Sequence, residues 1–378
     1  MNNTRYLDFA AALGAGLPLM ACACRSPAIM SSPVEPACDP PREAWPGTLD
    51  DAGSVARSAL AEAARLGDLR QHTYADAGDD FDPDVSRDGG RLAFVSTRRG
   101  GCAEIFVQTV GARDATPLTD DGADAIQPRF SPDGTRIAFA SLRSGNWDIW
   151  VMNSDGTSPR RLTYEAESEI SPCWSPDGEE IAYSAWNERT HRWEIHAVRG
   201  GVPHQRRRVA DGMLPAWSPD GSLIAYQSER EPGSRSFVIW TIDAAGVGPP
   251  REVAASTTAA CVAPCWSPDG RWVGYSQRRE IVEARSEAAG EDSACQLWAV
   301  EVSSGRKLPL LTGESSSTNA AWTHDGRVFF VRAVAGGERV YSGTIAALGT
   351  ESTEKPKLVR NAAASGGDGA SRIAHRQE

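Results

Sequence analysis

An all-β chain closed as a six-bladed β-propeller of four-stranded antiparallel blades is the fold this sequence predicts. Three observations predict it. A tetrapeptide of the form Ser-Pro-Asp-Gly returns six times, with its Asp-Gly pairs at 88, 133, 177, 220, 269 and 325, hence 43 to 56 residues apart. The same order of residue types surrounds each copy, which is the signature of a repeat architecture. The composition suits turns and repeated aromatic anchors, with 36 Gly, 24 Pro and 12 Trp in 378 residues.

Each unit reads as four short strands. The first is Pro-x-aromatic-Ser, as in Pro172-Cys173-Trp174-Ser175, Pro215-Ala216-Trp217-Ser218 and Pro264-Cys265-Trp266-Ser267. The Asp-Gly pair then makes a tight turn, because Gly accepts positive φ without a steric penalty and Asp bonds back to its own backbone. An alternating strand follows, for example Ile137-Ala138-Phe139-Ala140-Ser141, with one face buried and the next residue on the other. The third strand carries an aliphatic residue before an aromatic one (Ile105-Phe106, Ile149-Trp150, Ile239-Trp240, Leu297-Trp298, Val340-Tyr341), and the fourth is of the Leu-Thr type at 118–119, 162–163 and 311–312. Trp174, Trp217, Trp266 and Trp322 and the Asp of each turn are explained by packing and turn geometry. Six such sheets cover one another when stacked around an axis. Two segments compete to close the ring as the last outer strand: 69–74, which matches Arg160-Arg161-Leu162-Thr163-Tyr164, and 357–360.

The elements xPxWSPDGxxIAYxS, DIW and RRLT resemble the repeats of the TolB-like propeller family, a relative of WD-repeat propellers, over about residues 69–345. The resemblance implies a periplasmic, non-enzymatic role in binding protein partners, in that family the Tol proteins and the peptidoglycan-associated lipoprotein. The family's type member also carries an α/β domain ahead of its propeller. Residues 25–68 are too few for it, so the likeness is to the propeller alone.

The ends have their own organisation. Residues 1–22 read as a lipoprotein-type signal peptide, with an apolar run ending Leu19-Met20-Ala21-Cys22, too short to span a bilayer. Cys22 is the expected lipidation site, with Cys24 as the alternative, and an ordinary cleaved secretory signal as the competing reading. A Pro-rich tether occupies 23–48. Val55, Ala59, Ala63 and Leu66 recur at helical spacing, predicting a short helix over 49–68 ended by Gly67. Residues 346–378 are aperiodic and expected to be largely disordered.

A formal charge of −11 with no sustained basic stretch excludes nucleic acid as an expected partner. There is no GxSxG, HExxH or GxxxxGK motif, so no catalytic residue, metal or cofactor is expected. The acidic group Asp76, Asp79, Asp80, Asp82 and Asp84 has neither the Gly nor the final Glu of a calcium loop. With Asp120, Asp121, Asp124, Glu165, Glu167 and Glu169 it falls on loops of one face, either as a funnel for a basic partner or as solvated charge. Asp82, Gln127, Ser171, Leu214 and Asn319 should stand just inside that mouth. The fifth copy breaks the repeat with a long charged loop at 277–294, and such loops often bind. The candidate partner-binding residues are therefore Asp79, Asp80, Asp82, Gln127, Glu169, Asn319, Arg279 and Glu283.

Cys261 and Cys265 lack a second ligand pair, which argues against zinc; Cys173 and Cys265 are expected as buried small residues. In an oxidising compartment a Cys261–Cys295 disulfide is expected. His196 reads as packing, and Arg206, Arg207 and Arg208 as solvated. The leading expectation is an envelope-located scaffold for a protein or peptide partner, touching the membrane through its lipid anchor only and facing the periplasm. The alternative is a propeller hydrolase or lyase acting on polysaccharide or peptide in the central channel.

Overall fold

A computed structural model describes residues 64–199, 205–231, 236–279, 295–311 and 316–345. Its 24 strands begin with β1 (Ala64–Gln71). Blade one holds β2 (Asp80–Val85), β3 (Arg91–Ser96), β4 (Glu104–Thr109) and β5 (Thr116–Pro117). Blade two holds β6 (Ala125–Phe130), β7 (Arg136–Ser141), β8 (Asp148–Asn153) and β9 (Arg160–Arg161). Blade three holds β10 (Glu169–Trp174), β11 (Glu180–Asn187), β12 (Arg192–Arg199) and β13 (Arg206–Asp211). Blade four holds β14 (Met213–Trp217), β15 (Leu223–Glu229), β16 (Phe237–Asp243) and β17 (Arg251–Ala254). Blade five holds β18 (Ala259–Trp266), β19 (Trp272–Arg279), β20 (Cys295–Glu301) and β21 (Lys307–Leu311). The sixth has β22 (Ser317–Trp322), β23 (Arg327–Val334) and β24 (Gly337–Ile345), with β1 as its outer strand. The six-bladed propeller read from the repeat is the fold.

The repeated turn works as its residues dictate. In blade two Ser131 Oγ donates to Asp133 Oδ1 at 2.5 Å and accepts the Arg136 N–H at 2.9 Å, while Gly134 takes φ +69°. Ser175, Ser218 and Ser267 make the same bond to Asp177, Asp220 and Asp269, and Thr323 makes it to Asp325. These bonds hold the carboxyls of Asp133 and Asp325 down at about 2; the leading cause is Ser131 for the first and Arg327 for the second. The aromatic anchors bridge blades. Trp174 Nε1 donates to the Arg129 carbonyl at 3.0 Å and Trp266 Nε1 to the Ala216 carbonyl at 2.9 Å, so each ring fills the space between sheets and ties one inner strand to the previous one.

The ring is closed by the N-terminal segment. Leu66, Arg70 and Gln71 pair antiparallel with Ile345, Ser342 and Tyr341 of β24. Further upstream, Ala64 and Arg65 pair parallel with Leu310 and Leu311 of β21, so β1 edges two adjacent blades. The closure copies an ordinary outer strand. Leu162 N–H donates to the Ile149 carbonyl and Thr163 Oγ1 accepts the Ile149 N–H; His72 N–H donates to Val340 and Thr73 Oγ1 accepts the Val340 N–H in the same way. The competitor at 357–360 lies outside the described residues.

Three expectations are corrected. Of the helix expected over 49–68, residues 64–68 are strand, the first part of β1, and 49–63 lie outside the described residues. A free backbone edge on β24 must be paired, and this overrides a weak helical periodicity. Cys261 and Cys295 are both free thiols. Cys261 faces Gln277 and Cys295 faces Arg278, on opposite flanks of β19; two strand spacings of ~4.8 Å exceed the ~7 Å Cα reach of a disulfide. The long loop of blade five starts later than 277, because Gln277 to Arg279 complete β19.

Candidate binding face and central channel

All six inner strands deform at the same place. Asp82, Gln127, Ser171, Leu214, Ala263 and Asn319 adopt φ between 47° and 57°, a region that costs a non-glycine residue free energy. Each stands where the ladder to the second strand shifts register. Pro follows in five blades, suited to a place where no N–H is needed for pairing. Side chains of the preceding blade satisfy the freed N–H groups: Gln127 Oε1 for Ser171 (2.8 Å), Ser184 Oγ for Leu214 (2.9 Å), Gln227 Oε1 for Ala263 (2.9 Å) and Ser276 Oγ for Asn319 (3.2 Å). Bonds between blades thus hold the bend that turns these residues toward the axis.

The axis encloses a cavity of about 370 Å³. Its upper ring is the six bent residues, and the next ring down is Asp84, Arg129, Cys173, Ala216, Cys265 and Ala321. The charge in it is confined to neighbouring blades. Asp84 accepts the Phe130 N–H of blade two at 2.7 Å, and burial pushes its carboxyl up to about 6 against the pull of Arg129. Asp82 accepts Asn319 Nδ2 at 2.8 Å, and burial raises its carboxyl as well. Arg129 donates Nη1 to the Pro128 carbonyl at 2.7 Å. Burial raises both thiols, Cys265 to about 12, so they line the channel as neutral, weakly polar groups.

Above the channel the two sides of the face differ. At the junction of blades six and one, Asp79 Oδ1 accepts the Glu338 N–H at 2.9 Å. Burial together with the charges of Asp79 and Asp82 drives the Glu338 carboxyl up to about 8. Across the ring, the β11–β12 hairpin is built from 8-residue strands where blade two has 6. It carries Trp186 and Trp193 edge to face at 5.6 Å, with His191 beside Trp186. Trp193 and Leu214 pack on the same core cluster as Trp147 and Met213.

Asp79, Asp82 and Asn319 are thus brought together at one mouth, with Gln127 in the same ring. Asp80 and Glu169 stand apart from it, fully buried. Asp80 takes Ser96 Oγ at 2.6 Å and Arg98 at 2.9 Å. Glu169 has Arg206 only at 3.9 Å, and burial pushes its carboxyl up to about 7. Neither adds charge to an exposed face. Arg279 ends β19, opposite Ala259, and Glu283 and Cys22 lie outside the described residues. Cys173 and Cys265 are lining residues of the channel rather than part of a blade core. His196 packs as expected, stacked on Tyr183 and bonded to Glu194. Arg206, Arg207 and Arg208 are ion-paired with Glu165, Glu180 and Asp211. Sequence reasoning named Asp84 only within the acidic group of the face, and did not select Arg129 or Glu338. Asp84 and Arg129 were within reach, since the repeat column two residues past the bend otherwise holds only Cys and Ala; nothing in the repeat marks Glu338. Among the described residues no three His, Cys, Asp or Glu side chains converge as a metal site, and no helix is long and apolar enough to cross a membrane.

Comparison with known proteins agrees with the fold. Residues 67–246 match the family described as the TolB beta propeller domain. Among solved structures, a protein assigned as TolB from Agrobacterium tumefaciens superposes with TM-score 0.53 at 21% identity, over 70% of this chain and 89% of that one. TolB from Acinetobacter baumannii gives 0.50 at 17%, over 68% of this chain and 65% of that one. A gluconolactonase from Xanthomonas campestris, XC5397, gives 0.52 at 16%, over 75% and 91%. At these identities the likeness is one of fold. No protein of curated function matches the chain significantly in sequence.

Proposed function

The chain is a TolB-like six-bladed propeller, and from its two-sided face we propose that it is a non-enzymatic scaffold for a protein or peptide partner in the bacterial envelope. One observation carries the reading: the upper face sets the acids Asp79, Asp82 and Glu338 at the blade six–one junction across the ring from the Trp186–Trp193 hairpin. An aromatic anchor and an acidic rim are what a protein interface uses for affinity and orientation, and the complementary surface is a basic segment next to an apolar one, whose positive charge would draw the raised Asp82 and Glu338 carboxyls into their ionised form. Anchoring through Cys22, a periplasm-facing location and a contribution from the blade-five loop with Arg279 and Glu283 belong to the same proposal. The family resemblance supports an envelope partner.

Co-purification from detergent-solubilised envelopes tests it, comparing the intact protein with Trp193→Ser, with Asp79→Asn/Asp82→Asn, and with residues 280–294 replaced by a short turn. A stoichiometric partner lost in the first two variants is expected. A partner retained by both, or none with any form, sinks the reading. Labelled lipid incorporation that disappears in Cys22→Ser tests the anchor.

The enzymatic alternative has one specific observation in its favour, the pair of channel carboxylates Asp82 and Asp84 held above their ordinary range, a tuning that acid–base catalysis uses. Turnover of oligosaccharide or peptide by the wild type, lost in Asp84→Asn, is its signature.

A further inference from the structure

The channel interior lies below the face and shares Asp82 with it. Asp82 and Asp84 on blade one, Arg129 on blade two and Ser171 on blade three lie on one arc of it, with Gln127 and Asn319 beside them in the upper ring and Arg87 and His324 also in the lining. Ser171 is 4% exposed, and its Oγ has no hydrogen-bond partner among the described residues. A buried hydroxyl left unpaired costs free energy unless something fills the space before it. No described carboxylate lies within ion-pair distance of Arg129, so two acids and one base share the space with only the longer-range pull of Arg129 on Asp82 and Asp84 between them. The opposite arc, on blades four and five, is the apolar Leu214, Ala216 and Ala263 with the neutral thiol of Cys265. At about 370 Å³ the cavity is at the small end of ligand sites, which run from ~300 to ~1,000 Å³.

We propose that this channel binds a small zwitterion, an α-amino acid or dipeptide with an apolar side chain. Its ammonium lies between Asp82 and Asp84, its carboxylate reaches Arg129 and the Ser171 hydroxyl, and its side chain lies against Leu214, Ala216 and Ala263. A ligand of one charge sign would satisfy one half of the polar arc and leave the other desolvated and unpaired. A zwitterion satisfies both through charge-assisted hydrogen bonds. The raised carboxyls of Asp82 and Asp84 fit a site that gains from an arriving cation.

Calorimetric titration of the purified chain with leucine, leucinamide, 4-methylpentanoate and 3-methylbutylamine tests this, since leucinamide and 3-methylbutylamine lack the carboxylate and 4-methylpentanoate lacks the ammonium. Saturable leucine binding is expected, weakened about tenfold or more in each analogue and in Asp84→Asn and Arg129→Gln. Asp84→Asn keeps an acceptor for the Phe130 N–H, and the folded state of each variant is checked by its thermal transition. Ala216→Phe, which fills the apolar side without touching a charge, should abolish binding. No binding by the wild type overturns the proposal, as does leucinamide binding as tightly as leucine, or leucine binding that survives Asp84→Asn and Arg129→Gln. The proposal does not rest on docking at the face: Asp84, Arg129 and Ala216 lie below it, so loss of leucine binding with partner capture intact, or the reverse, separates the two.

Discussion

Blade two and blade six are the same sheet made in two ways. In blade two, four consecutive strands pair in order, and Leu162 and Thr163 finish the outer edge against Ile149. In blade six the outer strand comes from the other end of the chain, and His72 and Thr73 finish it against Val340. The hydrogen bonds are alike, and even Tyr74 and Tyr164 turn back to bond the carbonyls of Gln71 and Arg161. Two things differ. Blade six holds the ring shut without a covalent link, and it buries an imidazole where blade two buries a leucine. His72 is 1% exposed, bonds Ser342 Oγ at 2.8 Å and leans on Phe329. Burial, with Arg70 and Arg327 as the charges facing it, pushes its pKa down to about 4. A closure built from ordinary blade parts therefore carries an acid-sensitive histidine where blade two has a leucine; His196 in blade three is a second buried histidine whose pKa burial lowers.

The largest effect is expected from removing the closing strand. A chain beginning at residue 75 leaves β24 with an open edge and Leu66 and His72 absent from the core, and it should lose its cooperative thermal transition; retention of that transition would mean that the closure is dispensable. Trp266→Ala, which empties the space between blades four and five, should cost about 3 to 5 kcal/mol in denaturant unfolding, and Trp174→Ala between blades two and three a similar amount.

The comparison is sharpened by pH. An unfolded histidine titrates near 6.5 and folded His72 near 4, so the unfolded chain binds the extra proton between those values and stability falls as pH drops through that window. The loss approaches about 3 kcal/mol at its lower end. His72→Leu, which gives blade six the residue of blade two, should flatten this part of the profile. An unchanged slope would place the acid sensitivity elsewhere. Glu338 has the opposite sign. Its folded carboxyl is raised to about 8 from 4.5, so its stabilising contribution is complete below pH 4.5 and fades as pH rises to 8; Glu338→Gln should lessen that alkaline decline.

The smallest effect belongs to the surface. Arg199 and Glu179 pair with side chains 62% and 59% exposed, and Arg199→Ala should move stability by no more than about 0.5 kcal/mol.

The repeat made most of the architecture readable, because turn chemistry, strand alternation and the inner aromatic are local properties and each copy confirms the others. It also placed Asp82, Gln127, Ser171, Leu214 and Asn319 at the mouth, since each stands immediately before the Pro of its copy or, for Asn319, before Ala320. What lay hidden was the bend at those residues. A left-handed backbone at Leu214 or Ser171 contradicts local preference and is braced by side chains of the neighbouring blade, 30 and 44 residues away in sequence.

The sequence by itself determined the number of blades, the strands within them and the family likeness. The tertiary structure decided which segment closes the ring, which acids are buried and which meet at the mouth. It also decided that Asp84, Arg129 and Ser171, from three blades, face one cavity. The physical reason is the same throughout: a repeat specifies what each blade does with its own residues, whereas charge, burial and closure depend on what the ring brings together from distant parts of the chain.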